Sequence, residues 1–210
     1  MNAHRMGGSV CTVLSSLPRI TWLLYATLPP AQQLPRRWSG LVNYGRLDIA
    51  ARGLLAALYP TGRYNGSALL LHIDTGGGGE QATIIFNKQC LPETMHYEHE
   101  SSQLLLNALR KNKCPVTHAT LSRILICMKQ HGYTRILLKE GAKPLHTLKK
   151  IWGREKILFI IGTREDPPIH AAHHADHVAS IGCHAYLTTS VISYINLHIA
   201  SIAGGGDEEG

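Results

Sequence analysis

Hydrophobic positions along the chain follow two rhythms. Short, unbroken apolar runs alternate with longer stretches in which apolar residues recur every three or four positions. Arg19-Ile-Thr-Trp-Leu-Leu-Tyr-Ala-Thr27 is rich in β-branched and aromatic residues and stops before Pro29-Pro30, which predicts a first strand. Ser67 to Ile73 predicts a second, and Gln81 to Phe86 runs back from it across the glycine turn at Asp74–Gly79 as a hairpin partner. Thr134 to Lys139, Lys156 to Thr163 and Val178 to Gly182 supply three more. The last two are continuously apolar up to a glycine, as strands buried on both faces of a parallel sheet are.

The slower rhythm predicts helices. Gly45 to Tyr59 carries Leu47, Ile49, Leu54, Leu55 and Leu58 on its apolar side, with Asp48 at the start and Pro60 and Gly62 at the stop. Glu100–Lys113 and Thr117–Gln130 follow the same spacing, the second closed by Gly132. Pro144 suits a first helical position before Leu145, Leu148 and Ile151. The last helix has Thr188 and Thr189 as caps and Val191, Tyr194, Ile195, Ile199 and Ile202 in one stripe. The stretch between Gly162 and Val178, rich in Pro and His, reads as a loop.

Strand and helix alternate through the second half, which predicts an α/β fold: a parallel sheet with helices on both faces, made mixed by the hairpin. Residues 18–203 form one domain in this reading, after an amino-terminal appendage over 1–17 and before a flexible tail at 204–210. Met6 offers a second possible start. Two neighbouring parallel strands that each end on glycine create a crevice at their carboxyl edge, where open α/β sheets bind ligands.

Composition narrows the function. The chain has 210 residues, 44% hydrophobic and 17% charged, enough to bury a core. Its formal charge of +7, before any contribution from 13 histidines, favours a polyanionic partner, most simply RNA or DNA. Arg36, Arg37, Arg46, Arg52 and Arg63 near the start of the fold, with Lys139, Lys143, Lys149, Lys150 and Arg154 later, are the cations available for phosphate. Five cysteines, an odd count with no C-x-x-C pair, argue against a disulfide framework and a zinc knuckle, and point to a reducing cytoplasm. No run is long enough to span a membrane, since Pro18 and Arg19 divide the nearest candidate.

Several motifs are set aside on physical grounds. Asp74-Thr75-Gly76 matches the aspartic protease signature, but that chemistry sits in an all-β fold and this chain is rich in helical spacing. Gly76–Gly79 is not followed by Gly-Lys-Ser/Thr, so it is not a nucleotide P-loop. His170, His173, His174 and His177 share a face if helical, but no carboxylate or cysteine completes a metal ligand set, and no metal is expected. Cys183, beside a sharp turn, is either a reactive thiol or a buried inert one.

Four pieces, in order, resemble the SPOUT class of RNA methyltransferases, and within it the archaeal tRNA (pseudouridine(54)-N1)-methyltransferase family. Gly45-Arg46-Leu47-Asp48-Ile49-Ala50-Ala51-Arg52 is similar to that family's early Gly-Arg-x-Asp motif. Leu137-Leu138-Lys139-Glu140-Gly141 resembles its strand ending in an acidic-Gly turn, and Phe159-Ile160-Ile161-Gly162 its buried strand ending in Gly. Ser180-Ile181-Gly182, then Tyr186-Leu187 and Tyr194-Ile195-Asn196, resemble its last strand, turn and closing helix.

The resemblance implies a carboxy-terminal trefoil knot, a homodimer and bound S-adenosyl-L-methionine. It assigns Leu138, Gly141, Ile161, Gly162, Thr163, Ile181, Gly182, Tyr186 and Leu187 to the cofactor. Asp48 would help remove a base proton, with Arg46 beside it, and Arg36, Arg37 and Arg52 would grip tRNA. The expected activity is methylation of pseudouridine N1. Alternatives are another SPOUT enzyme acting on rRNA or a ribose 2′-hydroxyl, and an RNA-binding protein that kept the fold without catalysis. The chain departs from the family at Gly162-Thr-Arg-Glu-Asp-Pro-Pro168, where Gly-Asp-His is usual, and at Val191, where a Cys is common.

Overall fold

The computed structural model describes residues 10–28, 38–44, 46–76, 79–111, 113–148, 151–152, 156–182, 184 and 186–204. In chain order the elements are α1 (Val10–Leu14), β1 (Ile20–Thr27), a 3₁₀ turn (Trp38–Asn43), α2 (Leu47–Leu58), β2 (Ala68–Asp74), β3 (Gln81–Phe86) and α3 (Glu98–Lys111). Then come β4 (Val116–Thr117), α4 (Leu121–Gln130), β5 (Tyr133–Pro144), a 3₁₀ turn (Leu145–Thr147), β6 (Lys156–Gly162), α5 (Ile169–His174), β7 (His177–Ser180) and α6 (Thr188–Gly204).

The strands make one sheet in the order β4-β3-β2-β1-β6-β5-β7. β1 pairs parallel with β2 and β6, and β5 pairs parallel with β6 and β7. β3 runs antiparallel to β2 and β4. The expected mixed, mostly parallel sheet is therefore present. Its continuous apolar strands are explained by burial on both sides, because successive residues point to opposite faces. Trp22, Leu24, Leu71, Phe159 and Ile161 join one core with residues of α2, α3 and α6. Leu23, Tyr25, Leu70, Leu158 and Ile160 join the other with residues of α1, α4 and α5.

The structure changes several boundaries. Val10–Leu14 is helical and Leu14 and Leu17 are buried, so the packed body reaches back at least to Val10 instead of beginning at residue 18. Thr117 lies in β4, and the next helix starts at Leu121, capped by the Thr120 hydroxyl, which accepts from Arg123 N at 3.3 Å. β5 continues through the expected turn to Pro144, with its pairing to β7 interrupted between Leu138 and Lys143, and a 3₁₀ turn over Leu145–Thr147 follows where the helix was expected to begin. The His-rich loop contains α5, six residues long. Cys11 pairs with Cys127 and Cys90 with Cys114, at Cα separations of 5.0 and 5.2 Å. This corrects the inference from cysteine count, because partners brought together by folding are far apart in sequence. It also removes that argument for a reducing compartment. Among the described residues no helix is long and apolar enough to cross a membrane.

Arg135 fastens the β5–β7 edge. Its nearly buried guanidinium donates to Asp176 through Nε at 2.9 Å and Nη2 at 3.0 Å, while Lys129 Nζ reaches Asp176 Oδ1 at 2.5 Å. Burial pushes the Asp176 carboxyl up, but hydrogen bonds from Arg135 and Lys129 outweigh it and hold the group well below the ordinary range.

Candidate functional site

The carboxyl ends of β6 and β7, with β5 where its pairing is interrupted after Leu138, open onto one cleft of about 260 Å³. Residues 138–140, 161–166 and 180–182 form its walls, and His184, Tyr186, Thr188 and Val191 complete them. Parallel pairing explains the convergence: strands pointing the same way finish at the same edge.

Hydroxyl groups fix the walls. The Thr188 hydroxyl, at the first residue of α6, donates to Gly162 O at 2.8 Å and Thr163 O at 3.2 Å. Thr163 in turn donates to Tyr25 O through its amide at 2.9 Å and its hydroxyl at 3.1 Å. Three elements, β1, β6 and α6, are thus tied at one point. Ser180 Oγ donates to Ala142 O at 2.9 Å and joins the end of β7 to β5. Gly162 is required for steric reasons, since a Cβ there would run into the Glu165 carbonyl of the returning turn. At Gly182 a Cβ would press on the Tyr186 ring, with the hydroxyl 2.7 Å away.

Of the residues assigned to the cofactor, Leu138, Ile161, Gly162, Thr163, Ile181, Gly182 and Tyr186 line this cleft. Gly141 does not; it sits in the interrupted part of β5 with φ +70°. Leu187 also lies off the lining and is 70% exposed. The sequence reading missed Arg164, Glu165, Asp166 and Thr188 as wall residues. Thr188 was visible only as a cap, and the charged residues only as a departure from a family pattern.

Asp48 and Arg46 form a separate group at the start of α2. Asp48 is 4% exposed. Arg46 grips it with two bonds, Nε to Oδ1 at 2.9 Å and Nη2 to Oδ2 at 3.0 Å, from a left-handed backbone at φ 59°. Arg52 pairs with Asp48 Oδ2 from the next turn. Burial raises the Asp48 carboxyl, but hydrogen bonds and charge from Arg46 and Arg52 outweigh it and set the group below its ordinary value. Asp48 does not line the cleft, yet packing brings its helix alongside. A Cβ at Gly53 would lie 3.6 Å from Ile192, and Asn196 Nδ2 donates to Ala56 O at 2.7 Å. α2 and α6 therefore run side by side in one direction, and both begin at the carboxyl edge. Arg36, Arg37, Gly45 and Cys183 lie outside the described residues. Among the described residues, no group of three or more His, Cys, Asp or Glu side chains is arranged to hold a metal ion, and the histidines of α5 are no exception.

No protein-family model and no curated protein matches the sequence. Solved structures do match in shape. The Nep1 protein of Archaeoglobus fulgidus, bound to S-adenosylhomocysteine, superposes with TM-score 0.52 at 15% identity, over 88% of this chain and 98% of that one. The SpoU methyltransferase AviRb of Streptomyces viridochromogenes gives TM-score 0.51 at 8% identity, over 92% of this chain and 64% of its own.

The chain has the SPOUT methyltransferase fold. In this chain the sheet carries helices on both faces. The cleft where β5, β6 and β7 meet is the opening described above.

Proposed function

We propose that the protein is an S-adenosylmethionine-dependent RNA methyltransferase that acts on N1 of pseudouridine in tRNA. One observation carries this reading: the ends of β6 and β7 and the interrupted part of β5 meet at a single cleft, in a fold shared with a protein bound to S-adenosylhomocysteine. The cleft suits the cofactor. Leu138, Ile161 and Val191 offer apolar contact for a purine, and backbone groups near Gly162 and Gly182 are approachable because neither residue has a side chain.

When bound, S-adenosylmethionine supplies an electrophilic methyl group, so the chain's own task is alignment. The Thr188 and Thr163 ties hold the cleft walls in place before any ligand arrives. Arg46 and Arg52, each 41% exposed, offer guanidinium edges to RNA phosphates, and Arg36 and Arg37 extend that grip. Asp48 stays ionised between Arg46 and Arg52. With both carboxylate oxygens engaged, it acts chiefly by orienting the arginines rather than by taking the base proton. The target base must be unstacked from its loop, which backbone contacts favour.

Two further parts belong to this reading. The carboxy-terminal segment from β5 onward is a trefoil knot, and the enzyme is a homodimer. The outer side of α6 supports the second, with Tyr194, Leu197 and Ile202 exposed and no Asp, Glu, Lys or Arg in the helix. Titration calorimetry with S-adenosylhomocysteine tests the cofactor, and methyl transfer into pseudouridylated against unmodified tRNA transcripts tests the substrate. Cofactor binding without methyl transfer to any RNA would favour the non-catalytic alternative.

A further inference from the structure

Away from the cleft, the segment leading into α3 presents an exposed aromatic ring on a pinned backbone. Tyr97 is 63% exposed, while Met95, two residues earlier, is buried in the core and donates through its amide to Gly62 O at 2.9 Å. The Glu100 carboxylate accepts from the amides of His96 at 2.8 Å and Tyr97 at 3.0 Å, closing the start of the helix as in a capping box. The His96 imidazole lies against Gly62, where a Cβ would strike it. The rings of Tyr97 and His99 are nearly parallel, at 17° with centroids 5.6 Å apart, and His96 stands tilted on the other side of the sequence at 6.3 Å. Both histidines are exposed.

The surroundings are basic on balance. Arg52 Nε is 3.5 Å from Glu98 Oε1, so the residue next to Tyr97 is joined to the Arg46–Asp48–Arg52 group. Arg63, also exposed, is bridged through its backbone to Thr94. Of the acids in 92–100, Glu98 faces Arg52 and Glu100 is held by two amides; Glu93 alone is not so engaged among the described residues. Tyr97 is also the only large exposed apolar side chain among the described residues of 87–113. A lone ring lacks the contiguous apolar centre on which a protein partner docks. Rings interleaved with cations suit an unpaired nucleobase, which offers a flat face and an adjoining phosphate.

Building on the RNA reading above, we propose that Tyr97, backed by His99, is a stacking platform for an unpaired base of the RNA substrate, beside the phosphates held by Arg52. The base is a neighbour of the target and not the target itself, because Tyr97 does not line the cleft. A ring oriented in advance loses little freedom when a base settles on it. Every base has a π-face, so the platform selects unpaired over paired RNA and not one sequence over another.

Fluorescence anisotropy on the full chain tests this with two labelled probes, a single-stranded RNA of about twelve nucleotides and a blunt duplex of the same sequence. Tyr97→Ala weakens binding of the single strand about tenfold and of the duplex less than about twofold. Its slope of log affinity against log salt matches the wild type, because no phosphate contact is lost. Tyr97→Phe stays within about twofold of the wild type, since it keeps the ring. Unchanged affinity for S-adenosylhomocysteine in calorimetry shows that both variants are folded. Equal weakening of the two probes, a shallower salt slope, or Tyr97→Phe behaving like Tyr97→Ala overturns the platform and leaves the RNA reading standing. Wild-type affinity in Tyr97→Ala does the same and turns the exposed ring over to a protein contact. Failure of the wild type to bind either RNA removes both.

Discussion

Two charged groups stand at the same edge of the sheet and are built in opposite ways. At the start of α2, Asp48 is buried and both its oxygens are taken by Arg46 and Arg52. Around the cleft, ionisable side chains of both signs remain unpaired with one another among the described residues. The first is internally complete and can present only the outer edges of its arginines. The second has its bonding capacity open. The contrast separates a group that shapes a surface from a group that waits for a ligand, and it does so without reference to residue type.

The sharpest way to break this contrast is Gly162→Ala. The added methyl collides with the Glu165 backbone, so the turn must move; a stability loss of about 3 kcal/mol is expected. Affinity for S-adenosylhomocysteine should fall by roughly 100-fold in calorimetry. Unchanged affinity would mean that the turn is not part of the ligand site.

His72 gives the next effect and lies outside both groups. It is fully buried, its Nδ1 is 2.9 Å from the Thr83 hydroxyl, and its Nε2 has no partner among the described residues. Burial pushes it down to about 4, against about 6.5 when unfolded. The unfolded chain therefore takes up a proton that the folded chain refuses. Stability should fall as pH drops from about 6.5 to about 4, by at most roughly 3 kcal/mol, and this contribution should then level off. The depressed carboxylates Asp48 and Asp176 act lower, below the ordinary carboxylate range near 4. Urea melts across this range should show the upper slope in the wild type, and His72→Leu should remove it.

Asp48→Ala tests the complete group. Turnover on RNA should fall by roughly 100-fold as Arg46 and Arg52 lose their common anchor, while affinity for S-adenosylhomocysteine stays within about twofold. A loss of cofactor affinity instead would place Asp48 inside the cleft's machinery. Thr188→Val carries the smallest expected effect, about 1 kcal/mol of stability, with a several-fold loss of S-adenosylhomocysteine affinity. Thr188→Ser should restore the affinity, because the hydroxyl and not the methyl makes the tie. Equal behaviour of the two variants would contradict this.

The sheet was largely legible because burial on two faces leaves a coarse, continuous signal, as in Phe159-Ile-Ile-Gly162. The helix stripe of α4 was legible for the same reason, but its start was not. Val116–Thr117 is a strand only because β3 lies beside it, which is a tertiary fact. The extension of β5 past Leu138 has the same cause, since β7 supplies the partner at Lys143 and Pro144. At the cleft, the glycine-ended strands marked its position, whereas the hydroxyl ties of Thr188 and Thr163 depend on which carbonyls arrive opposite them. Leu187 was misplaced by one residue of chain direction: Tyr186 faces the cleft and its neighbour faces solvent. The cysteine pairs were hidden because no local spacing announces a contact across 116 residues.

Those pairs divide the molecule unevenly. The Cys11–Cys127 bridge closes a ring that runs from α1 to α4, and Cys90–Cys114 closes a smaller ring within it. β5, β6, β7 and α6, which carry the cleft, all lie beyond that ring, among the described residues free of any cross-link. When the oxidised chain denatures, the bridges restrict the loops they close and trim the entropy gained there, whereas the rear portion is released without such a restraint. Reduction would therefore lower the stability of the whole sheet, the cleft included, because β1 inside the ring pairs with β6 and its Tyr25 carbonyl anchors Thr163.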